Sequence, residues 1–261
     1  MYWNKQTIDL QGKICRITPL ADIHWGNNNC KKHKLIRTVD YIKNEPDHYV
    51  FGMGDWWDSI LFNDKRASHG DKCGTMDEEY NKLKQILLPI KDRIIMVAEG
   101  NHEIRLEQWR IGSPIRRLSD EWNILYGGYS GFLRLSILRK GKGGHWLPLV
   151  IYYHHGASSG RKTGGAVNRV EELSQYWGAD VYCMAHNHKL WATAEPFIDW
   201  SGDRPLYFCN TGGFLETSTV NETGYGEIKQ YNPLRLGTNT IKWQRGNNAQ
   251  NQVEISEYIK V

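Results

Sequence analysis

The sequence lacks the cysteine pattern of a disulfide-stabilised protein or of a thiolate metal site. Its five cysteines are scattered over 261 residues, are odd in number and include no Cys-x-x-Cys pair. Neither a disulfide framework nor a structural zinc site with thiolate ligands is expected. Cysteines of this kind are typical of a reducing compartment, so a cytoplasmic location is predicted.

Long apolar runs and long basic runs are missing as well. The longest apolar stretch, Trp146 to Tyr153, is far shorter than the roughly 20 residues that span a bilayer. The first ten residues are mixed and polar, unlike a secretory signal peptide. The nearest approach to a basic block, residues 139–142, is interrupted by glycine and is typical of a solvated hairpin tip. No membrane segment and no nucleic-acid-binding tail are therefore expected.

The composition is that of an ordinary globular chain. Hydrophobic residues make up 40% and charged residues 24%, while the formal net charge of +4 suits an anionic substrate without requiring nucleic acid. No internal repeat, low-complexity tract or linker divides the sequence. One domain over residues 1–261 is predicted, with residues 211–261 completing its strands and loops.

Strands and helices alternate in the first hundred residues. Apolar runs predict strands at 13–20, 49–53 and 93–98, and helical spacing predicts helices at 32–43 and 76–90. Polar residues follow each of these strands. This order is typical of an α/β domain whose active site lies at the carboxyl ends of its strands.

The second half of the chain is predicted to hold two further helices and several strands. The helices are expected at 113–122 and 166–177, and the strands at 132–138, 147–153, 180–184, 206–209, around 228 and within 241–259. Residues 212–226 are too irregular to assign. Residues 61–74 have the composition of either a specificity lid or an ordinary exposed loop.

Small polar clusters follow five of the predicted strands. In order, they are Asp22-x-His24, Gly54-Asp55-x-x-Asp58, Gly100-Asn101-His102-Glu103, His154-His155-Gly156 and His186-x-His188. Each cluster alone could be ordinary turn chemistry, but five in succession are hard to explain in that way.

The side chains of these clusters suit metal binding. Asp22 and His24 are two positions apart, so at the end of an extended strand they point to the same side. Two aspartates, one amide and four histidines form a ligand set for Mn, Fe or Zn. Two such ions, about 3.5–4 Å apart, can clamp the attacking and departing oxygens of an in-line displacement.

The ordered set resembles the calcineurin-like metallophosphoesterase superfamily over about residues 13 to 210. The resemblance implies an α/β fold, a four-layered α/β/β/α sandwich, with two divalent metal ions (Mn, Fe or Zn) and a phosphate-ester substrate. Carried over by position, it implies a first metal held by Asp22, His24 and His188, a bridging Asp55, and a second metal held by Asn101, His155 and His186.

The resemblance also implies catalytic roles. His102 would face the substrate and either protonate the leaving group or stabilise the charge on phosphorus, after attack by a hydroxide that bridges the metals. Asp58 is expected to orient a ligand histidine, and Glu103 to pair with His102 and tune its protonation.

The roles of several histidines and of one tryptophan pair have more than one interpretation. The family places its ligand directly before the glycine, which favours His155, and strand alternation would turn His154 to the other face as a substrate-binding candidate. The histidines outside the clusters are predicted to be surface residues; they are His33, His48, His69 and His145. Of the pair Trp56-Trp57, one is expected in the core, and a stacking wall for a base is the alternative.

Two departures from the family concern the backbone and the substrate. Ala185 stands where the family has glycine, which is tolerated unless the position needs a positive φ. The protein Ser/Thr phosphatase branch has one arginine after the second cluster and one before the third, where this chain has Ser59-Ile60 and Glu99. Because bidentate arginines suit a phosphomonoester, their loss favours a phosphodiester, such as a nucleotide or a nucleic-acid end.

Three basic residues remain as candidates for phosphate contact, namely Arg105, Arg161 and Lys162. Solvated loop charge is the alternative for all three. The competing functions are a nuclease of the exonuclease-like branch, a phosphomonoesterase and a non-catalytic binding protein on the same fold. The sequence leaves the oligomeric state open.

Overall fold

The computed structural model describes residues 1–60, 74–138, 147–157, 162–199, 202–217, 232–245 and 251–258. In these ranges the chain forms two six-stranded sheets and five α-helices. The first sheet has the spatial order β1 (Tyr2–Asp9), β6 (Ser130–Leu138), β7 (Leu149–His154), β8 (Val181–Met184), β10 (Gly202–Thr211) and β9 (Leu190–Asp199). The second has the order β12 (Asn251–Tyr258), β11 (Thr238–Arg245), β2 (Ile14–Leu20), β3 (His48–Met53), β4 (Ile94–Ala98) and β5 (Leu125–Tyr126).

The helices lie between strands along the chain. They are α1 (Lys32–Asn44), α2 (Met76–Leu87), α3 (Asn101–Gln108), α4 (Pro114–Trp122) and α5 (Thr163–Glu171). Short 3₁₀ segments at Leu88–Arg93 and Glu172–Gln175 follow α2 and α5. Pro89 lacks the amide hydrogen that an α-helix needs, which explains why α2 ends before residue 90.

The largest apolar core lies between the two sheets. Ile17, Phe51 and Met96 of the second sheet pack into one cluster with Leu133 and Ile151 of the first. Sheets that face each other in this way bury the inward side of their central strands.

The outer face of each sheet is covered by helices. Leu35 of α1, Leu83 of α2 and Leu118 of α4 pack in one cluster on the second sheet, whereas Val170 of α5 packs with Tyr182 on the first. The layers are therefore helix, sheet, sheet and helix, and the predicted four-layered α/β/β/α sandwich is confirmed.

Parallel pairing places the polar clusters at one edge. Strands β2, β3, β4 and β5 run parallel in the second sheet, and β7, β8 and β10 run parallel in the first. Because parallel strands end on the same side, the loops that follow β2, β3, β4, β7 and β8 meet at the carboxyl edges of the two sheets.

Most predicted elements occur, including the strand at 13–20, but strand β1 was not predicted. Strand β1 precedes the segment 13–20 and pairs in parallel with β6 at the edge of its sheet. It is mixed and half exposed because only one face of an edge strand is covered. Strand β9 was not predicted either; it is another edge strand, and it contains Pro196. The segment 241–259 holds two strands, and residue 228 lies outside the described residues.

The burial of ring side chains corrects the prediction for His48 and decides between the two roles proposed for Trp56 and Trp57. His48 was expected on the surface, but it is 1% exposed at the start of β3. Trp56 and Trp57 are both buried, so neither offers its ring face to a ligand. His33 is exposed as predicted, whereas His69 and His145 lie outside the described residues.

Candidate metal centre

Two glycine-containing loops form the floor of the site. Gly54 follows β3 with φ +89°, and a Cβ added there would lie 2.1 Å from the backbone nitrogen of Gly100. A Cβ added at Gly100 would lie 2.0 Å from Asp55 Oδ1. Only glycine permits this close approach of the loops after β3 and β4, which brings Asp55 beside Asn101.

The Glu103 carboxylate holds these two loops together. Oε2 accepts hydrogen bonds from the amides of Asp55 and Gly100, both at 2.9 Å. Oε1 accepts from the amides of Trp56 at 2.9 Å and Trp57 at 3.2 Å. Glu103 therefore positions the backbone of both loops, which differs from the predicted pairing with His102.

The first group of candidate ligands comes from the ends of β2 and β8. His24 Nε2 lies 3.2 Å from His188 Nε2, and Asp22 Oδ1 lies 3.6 Å from His188 Nε2 and 3.9 Å from His24 Nε2. The three side chains are buried or half-buried and converge on one point.

The second group comes from the ends of β3, β4, β7 and β8. Asn101 Oδ1 lies 3.1 Å from His155 Nε2 and 2.7 Å from His186 Nδ1. Asp55 Oδ2 lies 3.2 Å from His155 Nε2. This group holds one carboxylate, one amide oxygen and two imidazoles.

One carboxylate oxygen atom of the second group also lies near the first. Asp55 Oδ2 is 3.2 Å from His155 Nε2 of the second group and 3.8 Å from His24 Nε2 of the first. The other carboxylate oxygen, Oδ1, accepts a hydrogen bond from the His102 amide at 3.0 Å. That bond orients the Asp55 side chain so that Oδ2 points between the two groups.

Neighbouring groups also fix the orientation of the imidazoles. His24 Nδ1 donates to Asp58 Oδ1 at 3.2 Å, and His155 Nδ1 donates to the Met53 carbonyl at 2.7 Å. In each ring the hydrogen bond fixes a proton on Nδ1, so Nε2 is the nitrogen directed at the site. Hydrogen bonds of this kind position histidines that bind metals.

The residues present fit divalent cations. Bond lengths of about 2.0–2.2 Å to nitrogen and oxygen place neighbouring ligand atoms about 3–3.5 Å apart, as several of these atoms are. Asp22 Oδ1 is completely buried and has no hydrogen-bond partner among the described residues. A buried carboxylate oxygen without a donor is costly, and a cation would satisfy it.

Burial and mutual charge shift the titration of the site. Burial raises the pKa of Asp22 to about 7, an effect that His155 only partly offsets. Burial would also raise the pKa of Asp55, but the charges of His155, His102 and His24 together outweigh it and hold that pKa well below its usual value. Burial disfavours protonated His24, yet Asp58 and Asp55 outweigh it and raise the pKa of His24 to about 9.

The pKa values of the other candidate ligand histidines shift in opposite directions. Burial opposes protonation of His155, but Asp55 raises its pKa to about 9. Burial lowers the pKa of His186 to about 4 and holds that of His188 well below its usual value. The carboxylates attract the positive charge of protonated His24 and His155. A divalent cation would displace these protons when it binds.

A family model agrees with this arrangement. The model described as "Calcineurin-like phosphoesterase" matches residues 15–200, well over half of the chain. The chain belongs to this family. Every loop that supplies the two groups lies within the matched residues of this calcineurin-like phosphoesterase.

Solved structures offer only distant likenesses, and no curated protein matches the sequence. Vps29 from Chaetomium thermophilum is 11% identical, with coverage of 93% of this chain and 96% of that one, and a TM-score of 0.37. The nuclease MPE from Pseudomonas putida is 10% identical, with coverage of 93% and 87% and a TM-score of 0.40. A metallophosphoesterase from Sphaerobacter thermophilus is 11% identical, with coverage of 94% and 88% and a TM-score of 0.39. Likenesses at this level identify no substrate.

The other predicted site residues take different positions around the two groups. His102 Nε2 lies 4.0 Å from Asp55 Oδ2, and its Nδ1 donates to the Asp58 carbonyl. Asp58 thus contacts both His24 and His102. Ala185 has no positive φ, so alanine is tolerated there as the sequence suggested.

The two adjacent histidines at the end of β7 point to different surroundings. His154 Nδ1 accepts a hydrogen bond from the Gly156 amide at 2.8 Å, and its ring packs edge-on against Tyr129. It stands apart from the two ligand groups, whereas His155 lies within the second. Arg161 lies outside the described residues.

A cleft beside Asn101 contains residues that the motifs did not reveal. Arg105, a predicted site residue, lines it together with Ile104, Gln108, Trp109 and Tyr129. Helical spacing from Asn101 relates residues 104, 105 and 108, so a prediction of α3 would have found that part. Tyr129 carries no motif signal and is placed only by the fold.

Across the part of the chain that the structure describes, the helices are too short and too polar to cross a lipid bilayer.

Proposed function

We propose that this chain is a dinuclear metal-dependent phosphoesterase that hydrolyses phosphodiesters of the nucleotide or nucleic-acid type. The observation that carries the proposal is the shared oxygen, Asp55 Oδ2, which faces a ligand group on either side. In this proposal Asp22, His24 and His188 hold one ion, and Asn101, His155 and His186 hold the other. The nitrogen and oxygen donors suit Mn, Fe or Zn.

Divalent cations at such sites supply Lewis acidity and a hydroxide nucleophile near neutral pH. The residues of the chain orient the ester and handle the proton of the leaving group. His102 has its Nδ1 proton bound to the Asp58 carbonyl, so Nε2 is the nitrogen that gains or loses a proton. Nε2 faces Asp55 Oδ2 and is placed to donate a proton to the departing oxygen.

The surroundings of the site favour a diester over a monoester. Glu99, at a position where the phosphatase branch has arginine, is buried with Oε1 3.6 Å from Arg116 Nε. A carboxylate there does not bind a phosphate dianion. Among the described lining residues of the cleft beside Asn101, Arg105 is the one cation. A diester carries one negative charge fewer and needs fewer fixed cations.

The test compares bis(p-nitrophenyl) phosphate with p-nitrophenyl phosphate. Protein stripped with chelator and reloaded with Mn²⁺ is expected to bind two ions per chain and to prefer the diester. Asp55→Asn is expected to lower metal-dependent turnover at least about 1,000-fold, because the Asp55 carboxylate would hold both ions. Asp40→Asn, on the exposed face of α1, is the matched control.

Other outcomes would replace the proposal. A preference for the monoester would indicate a phosphomonoesterase. No turnover of either ester by protein that holds two ions would indicate a binding protein on this fold.

A further inference from the structure

Helix α3 presents two different faces to the molecule. His102, Glu103 and Leu106 are buried on the face that supports the metal centre. Asn101 and Arg105 lie on the other face with Ile104 and Gln108, at the spacing that places residues along one side of a helix. This second face leads from a candidate metal ligand outward along the cleft.

The cleft has the size and position of a ligand subsite. Its volume is about 450 Å³, within the range of small-molecule pockets. Asn101 forms its inner end, 3.1 Å from His155 Nε2. Tyr129 forms another wall, and its ring packs edge-on against His155 and His154. A molecule in the cleft therefore extends directly from the proposed metal sites.

An exposed tryptophan closes the outer end. Trp109 caps the carboxyl end of α3 and is 53% exposed, although a large aromatic side chain gains most from burial. It follows Asn101 by eight residues, about 12 Å along the helix axis. Gln108 and Arg105, both exposed, lie between the two. From the metal centre outward, the cleft thus presents the Asn101 amide, the Arg105 guanidinium, the Gln108 amide and the Trp109 indole.

We propose that this cleft is a nucleoside subsite in which a nucleobase stacks on Trp109. The Gln108 amide offers one donor and one acceptor to the edge of the base, and Arg105 contacts the phosphate or its ester oxygens. Stacking on an aromatic ring tolerates any base, so this subsite selects nucleotides without selecting a sequence. The inference rests on the proposed phosphodiesterase function and names its substrate class.

The first test uses two esters with the same leaving group on Mn²⁺-loaded protein. They are the p-nitrophenyl ester of thymidine 5′-monophosphate and methyl p-nitrophenyl phosphate, which lacks a nucleoside. Trp109→Ala is expected to raise KM about 10-fold for the thymidine ester, with kcat changed less than about 2-fold, and to leave KM for the methyl ester within about 2-fold. Trp109→Phe should keep most of the affinity.

Two further variants separate the roles. Arg105→Gln is expected to raise KM for both esters, because both contain the phosphate. Trp3→Ala removes a tryptophan that is 73% exposed on β1 and is the matched control with unchanged kinetics. Equal effects of Trp109→Ala on the two esters, or no effect on either, would overturn the subsite.

A binding measurement keeps this inference separate from the proposed function. Titration calorimetry of the metal-stripped chain is expected to show that thymidine 5′-monophosphate binds about 10-fold more weakly to Trp109→Ala than to the wild type. Loss of all turnover with this binding difference intact would refute the catalytic function alone. Equal binding by both proteins would refute the subsite alone.

Discussion

At the scale of single residues, the site depends on backbone conformations that side chains rarely adopt. Among the described residues, nine that are not glycine have a positive φ, and five of these are candidate ligands. The five are Asp22, His24, Asp55, His186 and His188. A left-handed residue turns the chain sharply after a strand and directs its side chain into the site. Each such residue costs about 1–3 kcal/mol, which the surrounding hydrogen bonds must offset.

His48 shows how burial can make the stability of the folded chain sensitive to pH. Its Nε2 lies 2.8 Å from Thr18 Oγ1, and its ring packs edge-on against Tyr41. Burial, with a smaller effect from Arg16 and Arg93, lowers the pKa of His48 to about 3 from a usual value of 6.5. Between these two values the unfolded chain binds a proton that the folded chain does not, so stability falls as the pH falls through this window.

We predict that His48→Gln reduces the acid sensitivity of folding. From pH 8 to pH 5, the titration of His48 removes about 2 kcal/mol of the unfolding free energy, and the variant should lack this loss. Urea unfolding of the metal-stripped protein at both pH values measures it. His33→Gln, on the exposed side of α1, should keep the wild-type dependence on pH. The same dependence in His48→Gln would show that His48 is protonated in the folded state.

At the scale of elements, the loops after β3 and β4 act as one unit. Gly54 and Gly100 let the two backbones touch, and Glu103 from the first turn of α3 binds amides in both loops. The position of Asp55 is therefore determined by the neighbouring loop as well as by its own strand.

We predict that Gly100→Ala damages the metal centre through this contact. The added methyl group would overlap Asp55 Oδ1, so the aspartate or the loop must move. We expect a loss of about 1–3 kcal/mol in unfolding free energy and a loss of Mn²⁺ affinity of at least about 10-fold. Denaturant unfolding and calorimetry measure the two effects.

Gly164→Ala in α5 provides the comparison, because a Cβ there meets nothing within 4 Å. It should bind Mn²⁺ like the wild type and be equally stable or slightly more stable. Normal Mn²⁺ affinity in Gly100→Ala would contradict the close loop packing.

At the scale of the whole molecule, the candidate ligands join the two sheets. Asp22, His24, Asp55 and Asn101 follow strands of the second sheet, whereas His155, His186 and His188 follow strands of the first. Each of the two groups combines residues from both sheets. Ions bound there would connect the two halves of the sandwich at its edge.

We therefore predict that metal binding stabilises the folded chain. At a free Mn²⁺ concentration about 100 times Kd, one site adds about 2.7 kcal/mol, or roughly 5–10 °C in Tm for a chain of this size. Differential scanning calorimetry of stripped and reloaded protein measures the shift. Asp22→Asn should lose much of it, and an undiminished shift in that variant would place the stabilising ion elsewhere.

The sequence alone determined the parts of this protein that depend on neighbouring residues. Apolar runs marked the central strands β2, β3 and β4. The polar clusters after the strands indicated the family and the positions of the candidate ligands in the chain. The four-layered fold followed from the resemblance and is confirmed. The strands and the polar clusters each depend on residues that are close in sequence, so they can be predicted without knowing the tertiary contacts.

Only the tertiary structure decided the features that depend on distant partners. Edge strand β1 exists because β6 pairs with it, and His48 is buried because other segments cover it. Glu103 binds the amides of two loops, although its motif suggested a partner beside it in sequence. The cleft joins α3 to Tyr129, which no local pattern relates. In each case the free energy comes from contacts between residues far apart in the chain, and a sequence pattern does not show which of these contacts form.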